Sequence, residues 1–237
     1  VPVTSAIILA GGLGTRLRSA VPDLPKPMAP VAGRPFLAYQ LDYWIGQGVD
    51  RFVLSVGYRH EAIVGHFGAS YRGVAIDYSI EQAPLGTGGG LLLALGKLAP
   101  QQQPFLVLNG DTYFEVDLAA LEELHRRKRS DWTFALFRCP QAGRYMGMEI
   151  NEDARITALQ SGTGTPGRLA NGGVYLVSPD APRAGPWSAG DRLSLEDDLL
   201  PAAFQGGRSF YGLECAGAFI DIGVPEDYRR APGLLAA

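Results

Sequence analysis

The sequence predicts an α/β fold, a mainly parallel central sheet flanked by helices, and three observations carry that expectation. Strand-like and helix-like patterns alternate through the first half, which calls for right-handed crossovers between parallel strands. Ala6-Ile7-Ile8-Leu9 is an apolar run without polar alternation, as a strand covered on both faces requires. From about residue 131 strand-like segments follow one another with few helices between them, which adds a smaller mixed or antiparallel layer. A chain of 237 residues is enough for one such domain, with halves of about 1–130 and 131–237.

The first strand ends in Gly11-Gly12-Leu13-Gly14-Thr15-Arg16. Glycines there leave successive backbone N–H groups free to turn toward one anion. Thr15 adds a hydroxyl, Arg16 a fixed cation, and Lys26 follows between Pro25 and Pro27, an arrangement suited to a triphosphate. It is not a Walker loop, because no Gly-Lys-Ser/Thr follows, and Leu17 stands where a dinucleotide fingerprint needs its third glycine. The chain has three lysines (Lys26, Lys97 and Lys128) against eighteen arginines, so a lysine held between prolines behind this loop stands out from ordinary surface charge.

Phe36–Ile45 reads as a helix ended by Gly46 and Gly48, Arg51–Val56 as a strand, Glu61–Phe67 as a short helix and Val74–Ile80 as a third strand. Glu81 to Gly90, EQAPLGTGGG, is then a second glycine-rich loop opening a helix over Leu91–Leu98. Gln82 offers both a donor and an acceptor to a flat ligand, and Pro84, Leu85, Gly86 and Thr87 permit close approach, although a flexible turn has similar glycines. Pro104–Leu108 is a core strand that ends in Asn109-Gly110-Asp111. Ligands in open α/β sheets bind beyond strand carboxyl ends, so Asp111 shares a crevice with Gly11–Arg16, where a carboxylate suits Mg²⁺. The other reading of such an aspartate, a helix cap, fits Asp117 better, ahead of a helix over Leu118–Arg129.

Trp132–Arg138, Met146–Ile150, Arg155–Gln160 and Gly173–Val177 read as strands. Ser194 caps a helix with Asp197 at its third position, and Phe219-Ile220-Asp221-Ile222 is an apolar strand carrying one carboxylate before Gly223 and Pro225. The net charge of −3 and pI near 5.6 argue against nucleic acid as a partner. Cys139 and Cys215 have no metal-ligand spacing, no run approaches transmembrane length, and no basic, cleavable start is visible, so no membrane partner and a cytoplasmic location are expected.

Leu9-Ala10-Gly11-Gly12-Leu13-Gly14-Thr15-Arg16-Leu17 followed by Pro25-Lys26-Pro27-Met28 resembles the signature of sugar-1-phosphate nucleotidyltransferases. PKPMAPVAGRPFLAYQLDYW is most similar to the D-glycero-α-D-manno-heptose-1-phosphate guanylyltransferase branch, and the likeness runs from residue 6 to about 230. The resemblance implies a Rossmann-like, GT-A-like fold with a sugar-binding second half, GTP and a sugar 1-phosphate as substrates, Mg²⁺ as cofactor, and room for a homodimer. It implies catalytic roles for Arg16, Lys26, Asp111 and Asp221, with the two aspartates as metal ligands. The nucleotide would meet Leu9, Ala10, Gly11, Gly12, Gly14, Thr15, Arg16, Gln82, Pro84, Leu85, Gly86, Thr87, Asn109 and Gly110. The sugar would meet Tyr145, Gly147, Asn171, Gly172 and Glu196, although Asn171 before two glycines is equally a turn and Glu196 equally a helix-start charge.

Two features depart from the family pattern. Met146 follows Arg144-Tyr145 where a glycine is usual, with Gly147 one place later. Leu159-Gln160-Ser161-Gly162 stands where the family has an acidic-lysine pair, and Arg168 is the candidate substitute cation for the sugar phosphate. The rival readings are the same chemistry with mannose 1-phosphate and GTP, or with glucose 1-phosphate and dTTP, UTP or CTP. Further off stand a nucleotide-sugar-binding module without catalysis, and a glycosyltransferase, for which Asn109-Gly110-Asp111 is not an Asp-x-Asp motif.

Overall fold

The computed structural model describes residues 2–98, 103–140, 144–160, 166–183 and 185–236. β1 (Ser5–Leu9) forms where its sequence demands, with Ala6 and Ile8 packed on one side of the sheet and Ile7 on the other. Both sides are covered, which is why the strand carries no polar alternation. The hairpin of β2 (Pro30–Val31) and β3 (Arg34–Pro35) follows, then α1 (Phe36–Gly46), β4 (Arg51–Val56), α2 (His60–Phe67), β5 (Ser70–Tyr71), β6 (Val74–Ile80) and α3 (Gly86–Ala94). The chain continues through β7 (Phe105–Asn109), β8 (Thr112–Phe114), α4 (Leu118–Lys128), β9 (Trp132–Arg138), β10 (Gly147–Ile150), β11 (Ile156–Gln160) and β12 (Leu169–Val177). Last come α5 (Leu200–Gln205), β13 (Phe210–Glu214), β14 (Phe219–Asp221) and α6 (Pro225–Leu235).

Among the described residues, ten strands form one sheet in the order β11-β10-β12-β7-β1-β4-β6-β5, with β9 on β12 and β13 on β9. β1 pairs in parallel with β4 on one side and with β7 on the other, so the winding reverses between β1 and β7. Leu9 lies beside Asn109 at that reversal, and a crevice opens beyond the two strand ends. The strands of the second half continue this sheet: β12 runs antiparallel to β7 and to β9. Two antiparallel pairs among the described residues stand apart from it, β14 with β8 and β2 with β3. Helices α1, α2 and α4 bury Leu37, Ile63 and Leu121 on the side of Ile8, and α3 and α5 bury Leu91 and Leu200 on the side of Ile7. A third cluster packs Leu17 and Val21, from the far side of the glycine loop, with Ile220 and Ile222. Those two isoleucines flank Asp221, so one apolar contact positions both the loop and the carboxylate.

The helix expected over residues 91–98 begins earlier, at Gly86, and ends at Ala94. Glycine is a poor helix former, but the amides of Gly88 and Gly89 donate to the Leu193 carbonyl at 3.0 and 3.1 Å, which satisfies the helix start. A Cβ on Gly88 would stand 3.0 Å from the Ser194 carbonyl oxygen. Those glycines therefore serve helix-to-segment packing, and the later part of the expected glycine-rich loop is a helical turn. The Ser194 cap forms as expected, its hydroxyl accepting from the Asp197 amide at 3.0 Å over a π-helical turn, Leu195–Leu199, that runs into α5. Asp117 caps α4 by accepting from the Ala120 amide.

Candidate active site

The crevice at the switch has a volume of ≈ 740 Å³, within the range of small-molecule sites. Leu9, Ala10, Gly11, Gly12, Gly14, Thr15, Arg16 and Lys26 line one wall, Asn109, Gly110 and Asp111 its floor, and Pro84, Gly86 and Thr87 a second wall. Tyr145, Asn171, Gly172, Glu196 and Asp221 complete it. Gly110 is required where it stands, because a Cβ there would lie 2.6 Å from the Leu9 carbonyl oxygen across the β1–β7 gap.

Four expected residues, Gln82, Leu85, Gly147 and Arg168, are not on the crevice surface. Gln82 is exposed outside it, and the residue that lines it is Glu81. The Glu81 amide donates to the Val56 carbonyl at 2.8 Å, so the β6 ladder runs one residue past the strand. Side chains alternate there: Ser79 is buried, Ile80 exposed, Glu81 inward and Gln82 outward. Leu85 backs the wall, its amide on Glu81 and its carbonyl accepting from Leu193. Gly147 is buried in β10, paired with Ala170 and Gln160, and Met146 takes its place on the surface. Arg168 is exposed and outside the lining; the arginines of the crevice are Arg16, Arg144 and Arg192. Of the departing segment, Gln160 ends β11, and Ser161 and Gly162 lie outside the described residues.

The Glu81 carboxylate fills the space that side chains on Gly11 and Gly90 would need. Its Oε2 accepts from the Leu85 amide at 2.9 Å and its Oε1 from the Ser55 hydroxyl at 3.4 Å. Burial raises its pKa, opposed by those two hydrogen bonds.

Across the crevice β12 breaks its register with β9 between Asn171 and Tyr175, where Gly173 adopts φ +70°. The bulge turns Asn171 toward the cavity. Asn171 Oδ1 accepts from the Gly173 amide at 3.0 Å, and its Nδ2 donates to the Tyr175 hydroxyl at 2.7 Å. Glu196 sits next to this pair, 3.5 Å from the Tyr175 hydroxyl, and accepts from Thr87 Oγ1 at 2.9 Å. Burial raises the pKa of Glu196, with hydrogen bonds opposing. Tyr175 was not singled out by its sequence; it is the fully buried partner that orients Asn171.

Asp111 and Asp221 come from distant parts of the chain to one place. Measured from the point a Cβ of Gly223 would occupy, Asp221 Oδ1 is 2.7 Å away and Asp111 Oδ2 is 3.6 Å away. The pKa of Asp221 is raised by burial and by the neighbouring Asp111, and Arg144 opposes the rise. Lys26 Nζ is 2.8 Å from Asp111 Oδ2, and Arg144 Nη2 is 3.0 Å from Asp221 Oδ2. Arg144 also pairs with Asp227 of α6, a contact between residues 83 apart in the chain. Among the described residues no group of three or more His, Cys, Asp or Glu side chains could hold a metal, and no helix is long and apolar enough to cross a membrane.

Residues 5–236 match the family described as nucleotidyl transferase. The chain is 44% identical, over 95% of its length and 96% of the relative's, to a D-glycero-alpha-D-manno-heptose 1-phosphate guanylyltransferase of Aneurinibacillus thermoaerophilus. It is 35% identical over 95% of its length to a mannose-1-phosphate guanylyltransferase of Mycobacterium tuberculosis, of which it covers 62%. The crystal structure of HddC from Yersinia pseudotuberculosis complexed with GMP-PN is similar at a TM-score of 0.83 and 34% identity, covering 98% of this chain and 99% of that one. A strand-end crevice, a glycine loop with its lysine and two converging aspartates thus occur in a chain that belongs to the nucleotidyl transferase family.

Proposed function

We propose that the protein joins D-glycero-α-D-manno-heptose 1-phosphate to GTP, giving GDP-heptose for surface polysaccharide and releasing pyrophosphate, as a single catalytic unit in the cytoplasm. The convergence of Asp111, Asp221 and Lys26 beside the glycine loop carries this reading. The attacking group is the sugar-phosphate oxygen, the bond formed is to the α-phosphorus of GTP, and the bond broken is to the departing pyrophosphate. Such a displacement asks the protein for alignment and charge neutralisation rather than covalent chemistry. Amides of the glycine loop and Arg16 hold the leaving pyrophosphate, and Lys26 meets charge that develops at the α-phosphoryl group. Asp111 and Asp221 would hold Mg²⁺: two carboxylates converging on one point suit an ion that takes one or two protein carboxylates. Bound there, the ion neutralises phosphate charge. Asn171 and Glu196 meet sugar hydroxyls.

The base is read by Glu81. Guanine alone among the common bases presents two adjacent donors, N1–H and the 2-amino group, on the edge a carboxylate can meet; uracil and thymine present one donor between two acceptors. Mannose 1-phosphate stands as the second sugar reading because of the guanylyltransferase relative in M. tuberculosis. Pyrophosphate release from GTP that requires both sugar 1-phosphate and Mg²⁺, with GDP-heptose as the product by mass spectrometry, is the expected result. GTP binding without turnover on any sugar 1-phosphate would instead identify a binding module.

A further inference from the structure

The two carboxylates that converge on one point each already hold a cation of the protein. Lys26 sits on Oδ2 of Asp111, the oxygen that faces Asp221, with the two side chains 14% and 30% exposed. Arg144 spans Asp221 Oδ2 and the Asp221 carbonyl, both at 3.0 Å, while its other terminal nitrogen is tied to Asp227. Asp227 also takes Arg230 at 3.0 Å, so Arg144 is not needed to neutralise it. Without these cations the two carboxylates would face each other unscreened in a partly buried site, a costly arrangement. With them, the place where a shared dication belongs is already electrically balanced, and an incoming ion must displace a charge to gain its ligands.

We propose that Lys26 is an exchangeable counter-ion: it holds Asp111 in the empty enzyme and is released to the phosphates when a dication arrives with the triphosphate. The inference rests on the metal reading of Asp111 and Asp221. The geometry allows the exchange, because the Lys26 stem lies against Gly14, its Cγ 3.0 Å from where a Cβ would stand. Rotation of the distal bonds carries the ammonium from Asp111 toward the glycine loop. Arg144 cannot move as far, being anchored through Asp227 to α6, and it remains the fixed partner of Asp221. Metal and nucleotide affinities are then linked, each tightening the other, since triphosphate draws away the cation that competes for Asp111.

The test is Mn²⁺ binding followed by the EPR signal of the free ion, with and without GTP, each corrected for the Mn²⁺ that GTP alone takes up, and with no sugar phosphate present. Lys26→Met, in which the competing charge is gone, is expected to bind Mn²⁺ alone roughly tenfold more tightly than the parent, a shift modest for a partly solvated charge pair. Lys26→Gln should do the same, which guards against a fold defect peculiar to the first variant. Arg16→Met removes a crevice cation that has no ion pair among the described residues and, in the absence of GTP, should change Mn²⁺ affinity by about twofold or less, as a screened charge would. GTP should tighten Mn²⁺ binding strongly in the parent and far less in Lys26→Met. Unchanged or weaker Mn²⁺ binding in both Lys26 variants overturns the exchange, and so does an equal gain in Arg16→Met. If the parent binds no Mn²⁺ even with GTP, the metal reading falls together with it.

Discussion

Replacing Glu81 by glutamine tests the assignment of the base most sharply. The carboxylate is held by the Leu85 amide at 2.9 Å and, more loosely, by Ser55 at 3.4 Å, which leaves acceptor capacity on both oxygens toward the crevice. Guanine would give it two hydrogen bonds, each worth about 1.5–3 kcal/mol when one partner is charged. The half-buried setting argues for the lower end, about 3 kcal/mol for the pair, or roughly 150-fold in kcat/KM for GTP. Glutamine keeps the shape but offers at most one acceptor, and its amino group would oppose a guanine donor. Inosine triphosphate lacks the 2-amino group and loses one of the two bonds, so the parent should use it roughly tenfold less well than GTP and still better than ATP. In Glu81→Gln the gap between GTP and inosine triphosphate should shrink toward unity. Because burial raises the Glu81 pKa, the preference for GTP over inosine triphosphate should shrink on acidification beginning above the ordinary carboxylate range, and the variant should lack that change. Pyrophosphate release across the nucleotides and pH values gives both readouts. An unchanged ratio of GTP to inosine triphosphate in Glu81→Gln would refute the reasoning.

Other outcomes follow from the same geometry. Lys26→Ala should lower kcat by on the order of 10³-fold with its circular dichroism unchanged, because the contact is made mainly in the transition state; near-normal kcat would reduce Lys26 to a surface charge. Asp111→Asn and Asp221→Asn should each cripple Mg²⁺-dependent turnover, and the double variant should be little worse than either, since losing one ligand already disables a shared ion; multiplicative losses would separate the two carboxylates. Glu196 has a pKa raised by burial, so the folded protein binds its proton more tightly than the unfolded chain does. Its ionisation therefore costs stability at neutral pH, and the cost fades as pH falls through the folded and then the ordinary value. Glu196→Gln should raise Tm at pH 7.5 and leave it unchanged below the carboxylate range, while weakening sugar-phosphate use; a lower Tm at neutral pH would contradict this.

The parts legible in the sequence were those written locally. β1, the glycine loop and Lys26 lie within about twenty residues, and the expected strands at Arg51–Val56 and Val74–Ile80 form with those limits. Asp111 stands just past one apolar strand and Asp221 at the end of another, and it was these contexts together with the family resemblance that marked the pair as candidates. Gln82 was misplaced by one residue because the exposed Ile80 disguises the alternation; counting in twos from the buried Ser79 reaches Glu81. The start of α3 was hidden because its glycines are paired with the Leu193 carbonyl, a contact across a hundred residues. Arg144 on Asp221 and Asp227 is of the same kind: nothing near Arg144 in the chain announces α6.

The most direct test of the guanylyltransferase reading is a single competition. With Mg²⁺ and D-glycero-α-D-manno-heptose 1-phosphate present, kcat/KM is measured for GTP, ATP, CTP, UTP and dTTP. With a carboxylate and not an amide on the crevice wall, the reading proposed for Glu81 predicts GTP ahead of every other nucleotide by about 10²-fold or more. A preference for UTP or dTTP would contradict the reading of Glu81 and of the base, while leaving the glycine loop, Lys26 and the paired aspartates to be explained by another sugar nucleotide.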